Sequence, residues 1–237
     1  VKKVTHISIA LVSVAFSACA QSFEDLNFEA ANPLNAGNPN YPWAVTASSA
    51  LPGWTISIGG TPANQVWLNN QAAGAPEIDL FGPGYSYGNG GVIEGNYTVG
   101  LQSLAFPGTV ENASIAQTAI IPLGSASLQL KTFNFGFNDG FQVSINGNVL
   151  SAVMLSTGQF AQNYTYTEYG FDVSAYAGQV GTLQITTTVP NGNGLGGFEF
   201  DDISFSQTAV TPEPSPLILY GISGLLLCAR RWITSPK

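Results

Sequence analysis

Positive charge is almost missing from this chain. Its 237 residues hold six Lys and Arg against fourteen Asp and Glu, and five of the six cations stand near the ends, at Lys2, Lys3, Arg230, Arg231 and Lys237. Between Gln21 and Val210 only Lys131 remains against thirteen acids, a formal net charge of −12. A phosphate backbone is held by several Lys or Arg contacts, so nucleic-acid binding is excluded. The one histidine, His6, and both cysteines, Cys19 and Cys228, also fall in the end segments. The span between them therefore has no disulfide, thiol nucleophile, imidazole base or soft metal ligand, which excludes catalytic triads and zinc sites together. Carboxylates and hydroxyls are left for chemistry.

What is present begins with the two ends. Lys2 and Lys3 precede an apolar segment, Ile7 to Phe16, that closes in Ser17-Ala18-Cys19-Ala20. Charge, short apolar core and small residues come in secretory order, which predicts a signal peptide over 1–20, cleavage before Gln21 and export through the Sec pathway. Cys19 after Ser17-Ala18 also resembles a lipoprotein box, and both processing routes stay open. At the other end Pro212, Pro214 and Pro216 stop any helix or central strand, an apolar run follows from Leu217 to Ala229, and Arg230-Arg231 closes it. The run is thirteen residues long. As a helix it rises about 20 Å, short of the roughly 30 Å hydrocarbon layer, and paired cations hold such an end on the cytoplasmic side.

Proline break, short apolar helix and paired arginine, in that order at the C-terminus, resemble a PEP-CTERM sorting signal with Pro212-Glu213-Pro214 as its motif. The resemblance implies transient inner-membrane anchoring through 217–237 and processing by an exosortase-type enzyme. It also implies a destination at the cell surface, the outer membrane or the extracellular matrix. A proline-rich linker then covers 208–216 and a single domain covers 21–207.

Inside that domain the periodicity is of strand type. Phe141-Gln142-Val143-Ser144-Ile145 alternates, meets the hairpin signal Asn146-Gly147-Asn148, and resumes at Val149-Leu150. The same period of two runs through Ala113 to Ile121, Leu128 to Phe137, Tyr164 to Thr167, Leu183 to Thr186 and Phe198 to Phe200, with Gly, Asn and Pro clusters between. This predicts an all-antiparallel β-sandwich of roughly eight to ten strands.

The ordered set Leu26-Asn27-Phe28-Glu29, Leu51-Pro52-Gly53-Trp54, Gly100-Leu101-Gln102, Ile115-Ala116-Gln117 and Phe200-Asp201-Asp202-Ile203 resembles a galactose-binding-like jelly roll, the fold of several carbohydrate-binding module families. Phe171 to Tyr176 before Gly178 fits the same pattern as a strand and turn. In many such modules a Glu of the first strand and an Asp of the last share a calcium ion. The resemblance thus implies a structural calcium at Glu29 and Asp202. Asp201 is a further candidate, although alternation points it to the opposite face from Asp202. Carbohydrate modules stack sugar faces on exposed rings, and Trp43, Trp67, Tyr85 and Tyr87 lie in Gly, Asn or Pro surroundings suited to that. Trp54, after Pro52-Gly53 and entering a strand, is expected in the core.

Glycoside hydrolysis needs only two carboxyl groups, and Glu199 with Asp201 or Glu77 with Asp79 share a strand face. Same-face pairs of this kind are common in acidic β proteins, so the chain is expected to be non-catalytic. Two functions of different class follow. One is an exported, surface-sorted module that binds carbohydrate of the extracellular matrix. The other is a structural or adhesive matrix protein with no small ligand.

Overall fold

A computed structural model describes residues 21–71, 75–85, 91–134, 140–160, 164–189 and 194–210. The signal segment 1–20, the motif Pro212-Glu213-Pro214, the apolar run with Arg230 and Arg231, and Tyr87 lie outside the described residues.

Strands carry nearly all of the regular structure: β1 (Ala44–Thr46), β2 (Thr55–Ile58), β3 (Thr61–Ala63), β4 (Gln65–Leu68), β5 (Glu77–Phe81), β6 (Thr98–Phe106), β7 (Thr109–Glu111), β8 (Ala113–Ile120), β9 (Ser127–Asn134), β10 (Gly140–Ile145), β11 (Asn148–Val149), β12 (Ala152–Gln159), β13 (Thr165–Asp172), β14 (Val180–Thr188) and β15 (Gly194–Ser206). Among the described residues a four-residue helix, Ala47–Ala50, and a 3-10 turn, Ser174–Tyr176, interrupt them. The larger sheet runs β1-β4-β5-β6-β15-β9-β13-β12 with β7 folded back on β6, and the smaller runs β11-β10-β14-β8-β2-β3. The two pack face to face as a sandwich.

Alternation decides which side chains meet between the sheets. Ile78, Leu80, Val99, Leu101, Leu128 and Leu130 point inward from the larger sheet, and Ile56, Ile115, Val143, Ile145, Leu183 and Ile185 from the smaller. Each such side chain contributes about 1.5–3 kcal/mol by leaving water, which is the main force closing the sandwich. Phe141 ties the layers together, its ring 5.0 Å from Phe198 and 5.5 Å from Phe200. Trp54 is buried as expected, its ring 5.9 Å from Phe28 and its indole N–H donating to the Asp25 carbonyl at 3.1 Å. The β10–β11 hairpin turns on Asn146 and Gly147, both at positive φ, as the Asn-Gly signal requires.

Two expectations need correction. The sandwich is not wholly antiparallel, because β4 and β5 pair parallel, with Trp67 opposite Asp79. The eight residues between them exceed a tight hairpin turn, and Asn69, at φ 50, ends β4 while its N–H donates to the Leu80 carbonyl at 3.0 Å. The strand count, fifteen among the described residues, also exceeds eight to ten. The surplus lies in pieces of two to four residues such as β1, β3, β7 and β11, too short to show a period.

Candidate functional site

The parallel pairing of β4 with β5 builds an aromatic pocket at one end of the larger sheet. Val66 points inward and is fully buried, so Gln65 and Trp67 stand on the outer face of β4. The loop before β1, Asn38-Pro39-Asn40-Tyr41-Pro42-Trp43, folds its two rings against Trp67. Tyr41 lies 5.2 Å and Trp43 6.3 Å from Trp67, and the two are 6.0 Å from each other. Tyr41 and Trp43 remain 46% and 37% exposed. The rings form one wall of a cavity of about 370 Å³ whose other lining includes Asn38, Gln65, Asn70 and Glu77. That volume is in the range of small-molecule sites, and amides opposite aromatic faces suit a ligand with both hydroxyls and apolar C–H faces.

The structure thus brings Trp43 and Trp67 together and adds Tyr41, which sequence reasoning missed. Its signal was present in Tyr41-Pro42-Trp43, two rings around a proline in an Asn-rich loop. Tyr85 does not join them. It packs at a tilt on Phe81, with ring centroids 4.4 Å apart, and is not part of the pocket lining. Burial, then the charges of Glu199, Asp79 and Glu77, push its phenol well above the ordinary range.

Behind the pocket runs a layer of buried carboxyl groups. Glu77 and Asp79 on β5 and Glu199 and Asp201 on β15 are each at most 1% exposed. The strand between them places Gly100 opposite both Asp79 and Glu199, so no side chain separates these two. Neither oxygen of Asp79 has a hydrogen-bond partner. Glu199 receives only long contacts from the Gly91 N–H, at 3.4 Å to each oxygen. Burial, reinforced by Glu77 and Glu199, holds Asp79 well above the usual carboxylate range. Glu199 is raised by burial and by Asp201, against the Gly91 N–H. Burial pushes Asp201 up to about 7 despite donation from Thr98 Oγ1 at 2.5 Å and from the Asp202 and Glu94 N–H groups. Of the two pairs weighed for glycoside hydrolysis, only Glu77 lines the aromatic cavity, and Asp79, Glu199 and Asp201 do not.

Glu29, Asp201 and Asp202 converge as well, lining a cavity of about 190 Å³ with Glu94 and Gly95. Alternation would have separated Asp201 from Asp202. A bulge in β15, with Asp202 at φ 49, turns both to the same corner. The carboxylates there are already engaged. Glu29 accepts the Asn96 N–H at 2.7 Å, the Asn96 side-chain amide at 2.8 Å and the Tyr97 N–H at 3.0 Å. Burial works to raise Glu29, but these donors outweigh it and hold the carboxyl below its ordinary value. Lys131 pairs with Glu94 and, at 2.9 Å, with Asp202. Among the described residues no group of three or more acidic, His or Cys side chains is placed to hold a metal ion. As folded, the corner fits an ammonium, and a calcium ion would have to displace Lys131.

Lys131→Met is therefore expected to cost about 1–2 kcal/mol in denaturant unfolding, since Glu94 and Asp202 are partly solvated and lose only part of a buried pair's value. The unaltered protein is expected to melt within about 1 °C of the same temperature with excess calcium or with chelator. A calcium-dependent rise of several degrees would show that the ion does take the lysine's place.

No protein-family model and no curated protein matches the chain. Among solved structures it is similar to the enzymatically active domain of bacteriophage CBA120 tailspike protein 4, at 16% identity and a TM-score of 0.35, over 65% of this chain and 19% of that one. It is also similar to a β-glucosidase from Kluyveromyces marxianus, at 12% identity and a TM-score of 0.30, over 81% of this chain and 21% of that one. The chain thus spans about a fifth of the length of each, and a likeness of this degree says nothing of what it does.

Proposed function

We propose that this is an exported carbohydrate-binding protein of the extracellular matrix, with a galactose-binding-like jelly-roll domain that takes glycan in the Tyr41–Trp43–Trp67 pocket. The supporting observation is the convergence of three rings, two of them substantially exposed, on one cavity with side-chain amides opposite. Amides satisfy sugar hydroxyls and rings cover the apolar sugar face, a pairing that a purely packed aromatic cluster does not need. The function is non-catalytic. A glycan in the pocket would meet Glu77 alone among the four buried carboxyls, and hydrolysis needs two. Sorting belongs to the same proposal, with the signal segment, the Pro212-Glu213-Pro214 motif, an exosortase-type partner and a surface destination supported by the residue order of the two ends.

Affinity electrophoresis in native gels cast with soluble polysaccharides, including exopolysaccharide of the source cells, tests the binding. Retardation by at least one polymer is expected, with Trp67→Ala weakening it about 100-fold while the fold is retained. No retardation by any polymer would assign the rings to packing and leave the structural or adhesive matrix role.

A further inference from the structure

We propose that the pocket takes one sugar unit of a hydrated, soluble glycan at a time, and that the flat face of an ordered, insoluble polysaccharide is not its ligand. The inference rests on the glycan reading of the pocket and narrows it to one form of ligand. Ring geometry carries it. Tyr41 lies 5.2 Å from Trp67 and 6.0 Å from Trp43, and the two indoles are 6.3 Å apart. Aromatic rings with centroids roughly 4.5–7 Å apart touch each other, so no sugar fits between any two of these. They make one contact surface, not a row of successive ones. Nor is that surface flat. Tyr41 stands at 77° to Trp67 and at 70° to Trp43, and the indoles are inclined to each other by 44°. An ordered polysaccharide face presents many sugars in a single plane and needs rings that share a plane, whereas rings tilted in this way meet as a corner around one unit.

The corner is fixed by the backbone beneath it. Trp67 belongs to a strand paired on both sides, opposite Ala44 of β1 and Asp79 of β5. The carbonyls of Tyr41, Pro42 and Trp43 each accept a hydrogen bond, from the Ala44 N–H at 3.0 Å, the Asn35 side-chain amide at 2.8 Å and the Leu68 N–H at 2.9 Å. Swinging the loop until its rings lie in the plane of Trp67 would break these bonds, at about 1 kcal/mol each and more where a group is left unpaired. The remaining lining also suits a single unit. Asn38, Gln65 and Asn70 border the same cavity of about 370 Å³, and a side-chain amide both donates and accepts, as neighbouring sugar hydroxyls require. That volume lies near the lower end of the roughly 300–1,000 Å³ found for small-molecule sites, enough for a sugar and its linkage but not for an extended run. The other units of a chain then stay in water and add little to binding.

The test takes the polysaccharide that most retards the purified protein in the affinity gels, cuts it by mild acid hydrolysis, and uses fragments sized from disaccharide to dodecamer as competitors of the uncut polymer. Inhibition per unit mass is expected to stay within about threefold across the series, because every fragment offers the same unit. Tyr41→Ala, Trp43→Ala and Trp67→Ala should each weaken the shortest and the longest fragments by a common factor, about tenfold or more, since all three rings border one sugar. Variants at three separate positions keep the test decisive should one of them fail to fold. Powders of microcrystalline cellulose and crystalline chitin supply the second arm, where the unaltered protein and Trp43→Ala are expected to adsorb equally little. Inhibition that falls more steeply towards the disaccharide, a ring variant that weakens only the long fragments, or adsorption to a powder that Trp43→Ala abolishes overturns the inference while glycan binding stands. No retardation by any polymer removes the glycan reading and the inference with it.

Discussion

Stability is expected to fall as the pH is raised from about 4 to about 7, the reverse of ordinary acid denaturation. Asp79, Glu199 and Asp201 are buried and hold their protons more tightly folded than unfolded. A folded-state pKa above the unfolded one gives stability that is whole below the unfolded value and is lost as the pH climbs through the folded value. For Asp201 that interval runs from 3.8 to about 7. It corresponds to roughly 4 kcal/mol at order of magnitude, from about 1.4 kcal/mol per unit for a group so little exposed. Glu29 and Asp172 act in the opposite sense, since their carboxyls are held low, and their contribution is lost as the pH drops below about 4. The maximum is therefore expected between about pH 4 and pH 5.

Urea unfolding across that range measures the profile directly. Asp79→Asn supplies the control, because an amide can donate to the neighbouring carboxylates and carries no charge to bury. It should stabilise by about 1–3 kcal/mol at pH 8 and by much less at pH 4. A profile that rises through neutral pH, with Asp79→Asn destabilising at both ends, would show that these carboxyls are solvated or partnered in solution.

Gly100→Val is expected to cost about 3 kcal/mol, although valine is the better strand residue. The gain from strand propensity and from a stiffer unfolded chain is about 1 kcal/mol. Against it, a Cβ at this position stands 2.5 Å from Phe81 Cε2 and 3.3 Å from Asp79 Cβ. Phe81 is fully buried and packed under Tyr85, so its ring has no free direction in which to move, and overpacking wins. The double variant Gly100→Val with Phe81→Leu should recover part of the loss, a coupling that guanidinium unfolding of the four proteins in the cycle would measure. Additivity of the two changes would mean that the sheet yields at Gly100 without pressing on Phe81.

The strands of the core were legible because burial on one face leaves a period of two. Ile115 to Ala119, Val143 to Ile145 and Leu183 to Ile185 announce themselves in this way, and Asn146-Gly147 announces its own turn. The pocket was legible only in pieces. Trp43 and Trp67 are 24 positions apart in sequence and meet because β1 pairs with β4, a contact that neither segment encodes alone. Tyr85 looked equivalent to them in composition, yet its packing on Phe81 takes it elsewhere. Asp201 and Asp202 defied alternation for a local reason, a bulge at a non-glycine residue with positive φ, which no pattern of hydrophobicity marks.

By itself the sequence determined the class of this protein: a β-sandwich, acidic, nearly without cations, and without imidazole or thiol in its domain. Composition and short-range periodicity suffice for that, because each depends on residue type and on neighbours a few positions away. Only the tertiary structure decided that the four carboxyls of β5 and β15 form one buried layer, that Lys131 serves Asp202, and that Tyr41, Trp43 and Trp67 share a cavity. Those juxtapositions follow from strand order and register, which are settled by the packing of two whole sheets.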